Sequence, residues 1–144
     1  MTRLLALPVA ALVLGLAACS GSPSGVPARG ADGTIAVVAS TNVYGDIARS
    51  IGGDAVTVTA IIDRPDQDPH EYTADARTQL NLSKARLVIE NGAGYDDFVN
   101  TMLAATTAQP RVITVADVSG YDQHPADGEF NEHLWYDFPT MIKL

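Results

Sequence analysis

Four β-branched apolar runs, separated by polar loops and helix-spaced stretches, constrain this chain more than any other feature. Residues 34–39 read Thr-Ile-Ala-Val-Val-Ala, and residues 55–62 read Ala-Val-Thr-Val-Thr-Ala-Ile-Ile. Residues 86–90, Arg-Leu-Val-Ile-Glu, and 111–115, Arg-Val-Ile-Thr-Val, complete the set. Runs of this composition suit strands buried on both faces. After the first run, Val43, Ile47 and Ile51 recur at helical spacing and stop at Gly52-Gly53. A short helix is expected over residues 75–81. Tyr95, Phe98, Val99, Met102 and Leu103 then form a helical stripe, with Asp96 and Asp97 favourably placed in the first turn, so a third helix is expected from Tyr95 onward. Four strands alternating with three helices predict an α/β fold, a mostly parallel four-stranded sheet with helices on both faces.

In such a sheet the loops that follow the strands emerge together at the carboxyl edge, where ligands of open α/β folds bind. Residues 40–42, 63–72, 91–94 and 117–136 are those loops. Two carry an imidazole in a polar setting: Asp68-Pro69-His70-Glu71-Tyr72, and Asn131-Glu132-His133-Leu134-Trp135-Tyr136-Asp137 at the end of the last loop. A zinc-type ion held at about 2.0–2.1 Å by each nitrogen needs the two nitrogens only roughly 3.3 Å apart, a separation that loops at one sheet edge can supply. Pro69 restrains the backbone just before His70. Asp68, Glu71, Glu132 and Asp137 are candidate acceptors that could orient the imidazoles from behind. A lone histidine is more often a surface or structural residue than a ligand, and it is the topology that singles out His70 and His133. His124, near Asp127 and Glu129, is a minor candidate whose plainer reading is a solvated loop residue.

The charge balance excludes other partners. Nine Lys plus Arg against 17 Asp plus Glu, without a basic block, lack the footprint of a nucleic-acid binder, so no polynucleotide partner is expected. An acidic surface suits a cationic ligand, and solubility explains it equally well. The single cysteine can make neither an internal disulfide nor a thiolate cluster.

That cysteine has another reading. Residues 1–18 combine a short basic start with an apolar run too brief to span a bilayer permanently, the pattern of an export signal peptide. The run ends Leu16-Ala17-Ala18-Cys19, which resembles a bacterial lipobox, where cleavage follows acylation of the cysteine sulfur. Acyl chains contributing about 0.8 kcal/mol per buried methylene would hold the mature protein on a membrane. Residues 19–33, rich in Ser, Gly and Pro, have almost nothing to bury and read as a flexible tether. The folded lobe is expected over residues 34–144.

Taken in order, Asp68-Pro69-His70-Glu71-Tyr72, the stretch Leu82-Ser83-Lys84-Ala85-Arg86-Leu87-Val88-Ile89-Glu90-Asn91-Gly92, and His133-Leu134-Trp135-Tyr136-Asp137 resemble the zinc/manganese solute-binding lipoproteins of ABC importers. The resemblance runs from the lipobox to the last residue. It implies a receptor that binds a transition-metal ion between two α/β lobes and hands it to a membrane permease. It further implies that His70 and His133 are metal ligands of the N-terminal lobe, that Cys19 is lipidated, and that the protein sits on the outer face of the bacterial cytoplasmic membrane. Members of that family are about twice as long and take their remaining ligands from a second lobe, so this chain is expected to be the N-terminal lobe, as a fragment or a truncated product. Zn2+ is the first expectation and Mn2+ the second, because two imidazoles suit zinc whereas manganese prefers more carboxylate oxygens. A zinc-dependent hydrolase is the competing class, with Glu71 as its ready base, but no nucleophile or HExxH-like spacing supports it. A surface adhesin or structural lipoprotein without a transport role is the third reading.

Overall fold

A computed structural model of the chain describes residues 33–144. The expected export signal, Cys19 and nearly all of the expected tether lie outside the described residues. Strand β1 (Ile35–Thr41) leads into helix α1 (Asn42–Gly52), a short 3-10 turn and strand β2 (Val56–Ile62). A second 3-10 turn (Pro69–Glu71) precedes α2 (Ala76–Lys84) and β3 (Leu87–Glu90). Then come α3 (Phe98–Ala104), β4 (Arg111–Thr114), α4 (Val115–Ser119), a third 3-10 turn (Leu134–Tyr136) and α5 (Phe138–Lys143). No described helix is long and apolar enough to cross a membrane.

The four strands form one sheet in the order β2-β1-β3-β4, and every pairing is parallel. Register places Val38 beside Thr59 and Val88, and Val88 beside Val112. Alternate residues of β1 feed different cores, as the two-residue period of a strand requires. Val37 and Ala39 join Tyr44, Ile89, Val115 and Leu134 on one face, with Ala48 of α1 and Met141 of α5 packed against them. Val38 joins Leu82, Val88, Val99 and Met102, from α2, β3 and α3, on the other. Each fully buried aliphatic side chain contributes about 1.5–3 kcal/mol of transfer free energy.

The α/β architecture matches the expectation, and three local features differ from it. Helix α1 is present and ends at the glycine pair, where Gly53 takes φ +49° and its N–H donates to the Arg49 carbonyl. Its buried contact is Tyr44, fully enclosed, whereas Ile51 is 76% exposed, so the Val43/Ile47/Ile51 stripe does not define the core face. Residue 115, read as the end of the fourth strand, instead starts α4, a helix absent from the sequence reading. The third helix begins at Phe98 rather than Tyr95. The reason is Asp96, whose carboxylate reaches back to accept the backbone N–H groups of Asn91 and Gly92 at 2.7 and 2.8 Å. That keeps residues 92–96 in a turn closed by the Tyr95 N–H on the Gly92 carbonyl.

Candidate metal centre

From β1 the chain moves to β2 on one side, and from β3 to β4 on the other. The connections leaving β1 and β3 therefore diverge and open a crevice at the carboxyl edge, the switch point where doubly wound sheets receive ligands. Both histidine loops lie over this crevice. His70 and His133 line one cleft of about 350 Å³ together with Pro65, Gln67, Tyr95 and Trp135.

The two histidines are presented by similar local devices. Asp68 precedes His70 by two residues, and its Oδ1 accepts the His70 N–H at 2.9 Å, while Pro69 opens the 3-10 turn. Asn131 precedes His133 by two residues, and its Oδ1 accepts the His133 N–H at 3.0 Å. The same Oδ1 lies 2.9 Å from His133 Nδ1. An oxygen already accepting a backbone N–H must also accept here, so Nδ1 carries the proton and Nε2 keeps its lone pair for a ligand.

Tyr95 stands between the imidazoles. Its ring meets His70 edge-on at 5.2 Å between centroids and His133 at 5.8 Å, and Trp135 packs on Tyr95 at 4.7 Å and on His133 at 5.0 Å. These contacts support the two rings while about half of each histidine side chain remains open to solvent. Burial, with a smaller push from Asp96, raises the Tyr95 phenol above its ordinary pKa, so it stays protonated at neutral pH.

The four proposed orienting carboxylates are placed in four different ways. Glu132 lies between the imidazoles, 3.9 Å from His70 Nε2 and 3.7 Å from His133 Nδ1. Those distances allow charge attraction but are too long for hydrogen bonds. Asp68 orients its histidine through the backbone, not through the ring. Glu71 is exposed at the end of its 3-10 turn. The Asp137 carboxylate caps α5, accepting from the Thr140 N–H at 3.1 Å and hydroxyl at 2.5 Å, and also accepts the Tyr121 hydroxyl at 3.0 Å. The Thr140 hydrogen bonds, with the others, hold its pKa below the usual carboxylate range. His124 sits in an exposed stretch, its N–H on Asp122 Oδ1 at 2.9 Å, and does not line the His70/His133 cleft. Among the described residues no group of three or more His, Cys, Asp or Glu is arranged to hold a metal ion. Two imidazoles would by themselves fill only half of a four-coordinate shell.

Tyr95, Trp135, Asn131 and Asn91 were not singled out as site residues by the sequence reading. A signal for one of them was present, since Asp or Asn stands two residues before each histidine, the spacing of an Asx turn. Nothing in the sequence marked Tyr95, whose place in the helical stripe looked like core packing.

Comparison with known proteins gives a consistent picture. The family model for zinc-uptake complex component A, periplasmic (ZnuA), matches residues 37–144. The chain is 28% identical over 137 residues to the manganese-binding lipoprotein MntA of Bacillus subtilis (strain 168), covering 93% of this chain and 44% of that protein. It is 37% identical over 86 residues to the metal ABC transporter substrate-binding lipoprotein FimA of Streptococcus parasanguinis, covering 60% and 26% respectively. The chain therefore spans less than half the length of these relatives. The periplasmic zinc-binding protein TroA of Treponema pallidum superposes with a TM-score of 0.66 at 23% identity, over 77% of this chain and 40% of that one, which shows the shared fold. With three quarters of its length inside the family model and the same α/β architecture, this chain belongs to the ZnuA family of periplasmic zinc-uptake components.

Proposed function

We propose that this chain is the N-terminal half of an extracytoplasmic metal receptor, one that captures a transition-metal ion for an ABC permease. The observation that carries the proposal is the convergence of His70 and His133 on one cleft, from loops after different strands, with His133 Nε2 left free as a donor. A receptor must bind its cargo and release it unchanged. Two imidazole nitrogens, without a nucleophile beside them, suit that task better than hydrolysis, and the relatives named above are binding proteins rather than enzymes.

Zinc is the first choice of cargo because imidazole nitrogen suits it; manganese follows, since it favours oxygen donors. The names of the relatives support both metals. In the same reading, residues 1–18 export the chain, Cys19 carries the lipid anchor, and residues 19–33 tether the lobe to the outer face of the membrane. The lipoprotein names of MntA and FimA support that arrangement.

Isothermal titration of the chain with zinc and with manganese tests the proposal. Zinc is expected to bind more tightly than manganese, with one ion per chain and modest affinity, because the cleft supplies only two imidazoles. His70→Ala and His133→Ala should each abolish most of the heat. A binding curve unchanged in both variants would sink the ligand assignment.

A further inference from the structure

The Asn91-Gly92-Ala93-Gly94 segment follows β3 at the switch point, and Asn91 is completely buried there. Its side-chain amide is fully used. Oδ1 accepts the Tyr44 hydroxyl, and Nδ2 donates to the Gly92 carbonyl at 3.0 Å and to the Glu132 carbonyl at 2.8 Å. Its backbone is held as well, N–H on Asp96 Oδ2 and carbonyl accepting the Ala116 N–H at 2.9 Å. Asn91 is therefore rigid in every direction, and one of its bonds crosses 41 positions of sequence to the other histidine loop.

The carbonyl it reaches is the one that decides where His133 sits. His133 has φ −76° and ψ 55°, and the Leu134 N–H donates to the Glu132 carbonyl at 2.7 Å, which together make an inverse γ-turn centred on His133. The peptide plane entering His133 is thus gripped at both ends. Asn91 Nδ2 holds its carbonyl, and Asn131 Oδ1 holds its N–H. The His70 backbone instead rests on its local device, Asp68 on its N–H and the 3-10 turn around it.

We infer that Asn91, braced by the Tyr44 hydroxyl, is the positioning residue of the metal site: it locks the γ-turn that aims His133, and leaves His70 to its own turn. The inference rests on the metal-receptor reading for its functional consequence. A surface γ-turn alone is a weak fold, and a ligand on it would wander. Donation from a buried amide fixed to the sheet gives that turn the rigidity of β3.

The test uses the 144-residue chain without metal and then with zinc alone. Asn91→Leu keeps the branched heavy-atom shape, at a somewhat larger volume, and removes both Nδ2 hydrogen bonds; Tyr44→Phe keeps those hydrogen bonds and removes the brace. Amide hydrogen exchange at His133 and Leu134 should speed up roughly fivefold to tenfold in Asn91→Leu, and less in Tyr44→Phe, as expected from losing one or two net hydrogen bonds. Exchange at His70 and at Val88 should stay as in the parent chain. Zinc affinity should fall about tenfold, the usual scale for groups that orient a ligand. The zinc loss should accompany the loss of exchange protection at His133, because Asn91 acts through that turn. Exchange at His133 and Leu134 that stays at the parent rate in a folded Asn91→Leu chain overturns the inference, as does zinc affinity unchanged in a variant whose exchange has sped up. Should Asn91→Leu fail to fold, the Tyr44→Phe exchange pattern decides on the same terms. If the parent chain takes up no zinc while the exchange pattern appears, the positioning stands and the receptor reading falls.

Discussion

Gly92 is the position where a single methyl should do the most damage. Its φ is +77°, a region that costs an L-residue roughly 1–2 kcal/mol. A Cβ built there would lie 2.4 Å from Thr114 Cγ2 and 3.5 Å from Ala116 Cβ. Thr114 cannot turn away freely, because its hydroxyl donates to Glu90 Oε1 at 2.9 Å, and the other oxygen of that buried carboxylate already lacks a hydrogen-bond partner. Relief must come from β4 moving or from the Glu90 bond breaking, and overpacking of this kind adds about 1–3 kcal/mol. Gly92→Ala should therefore destabilise by about 2–5 kcal/mol, measured from urea midpoints at constant slope. The double variant Gly92→Ala, Thr114→Ser keeps the hydroxyl on Glu90 but deletes Cγ2. It should recover the steric part and leave a deficit of about 1–2 kcal/mol from the backbone alone. A Gly92→Ala chain within about 0.5 kcal/mol of the parent would refute both parts of the argument, and a double variant no more stable than the single one would refute the role given to Thr114.

Other expectations follow from single residues. Leu82→Ala, at a fully buried position in the core beneath α2 and α3, should cost about 2–5 kcal/mol in the same urea assay. Burial raises the Glu90 pKa above its ordinary 4.5, only partly offset by the Thr114 hydroxyl. The folded state thus favours the protonated form, and this contribution is complete below the unfolded pKa and is lost as pH rises through the raised one. Thermal midpoints of Glu90→Gln compared with the parent, taken upward from pH 4.5, should show the parent's relative stability declining through that window; parallel curves would count against it. Asp137→Ala removes the cap of α5 and should lower the melting temperature while leaving zinc affinity unchanged, because that carboxylate is engaged by Thr140 and Tyr121. A zinc affinity that dropped with it would return Asp137 to the metal site.

The four strands were legible because residues 34–39, 55–62, 86–90 and 111–115 are rich in β-branched and apolar side chains, a property that belongs to each segment alone, even though the edge strands β2 and β4 are only partly buried. The histidine pair was legible for a related reason: both follow strands of a parallel sheet, so they reach one edge whatever the strand order. Helix starts were less readable. Asp96 looked like a favourable residue for a first turn, but two unpaired N–H groups at Asn91 and Gly92 competed for its carboxylate and won. Tyr95, left outside the helix, became the ring between the imidazoles. Tyr44 shows the same limit, since the α1 stripe pointed to Ile51 while the hydroxyl on Asn91 and the sheet beneath selected Tyr44 for burial.

What the sequence determined by itself was therefore the four strands, the three helices between them and the edge at which the histidine loops emerge, because apolar periodicity and strand-to-loop order are local properties. Only the tertiary structure decided the strand order β2-β1-β3-β4, the placement of Tyr95 and the link from Asn91 to the Glu132 carbonyl. The last two depend on which buried polar groups find partners once the sheet has assembled around Asn91. An unsatisfied donor in the interior costs more than a local preference contributes, so the hydrogen-bond demands of the folded core overrule the pattern read along the chain.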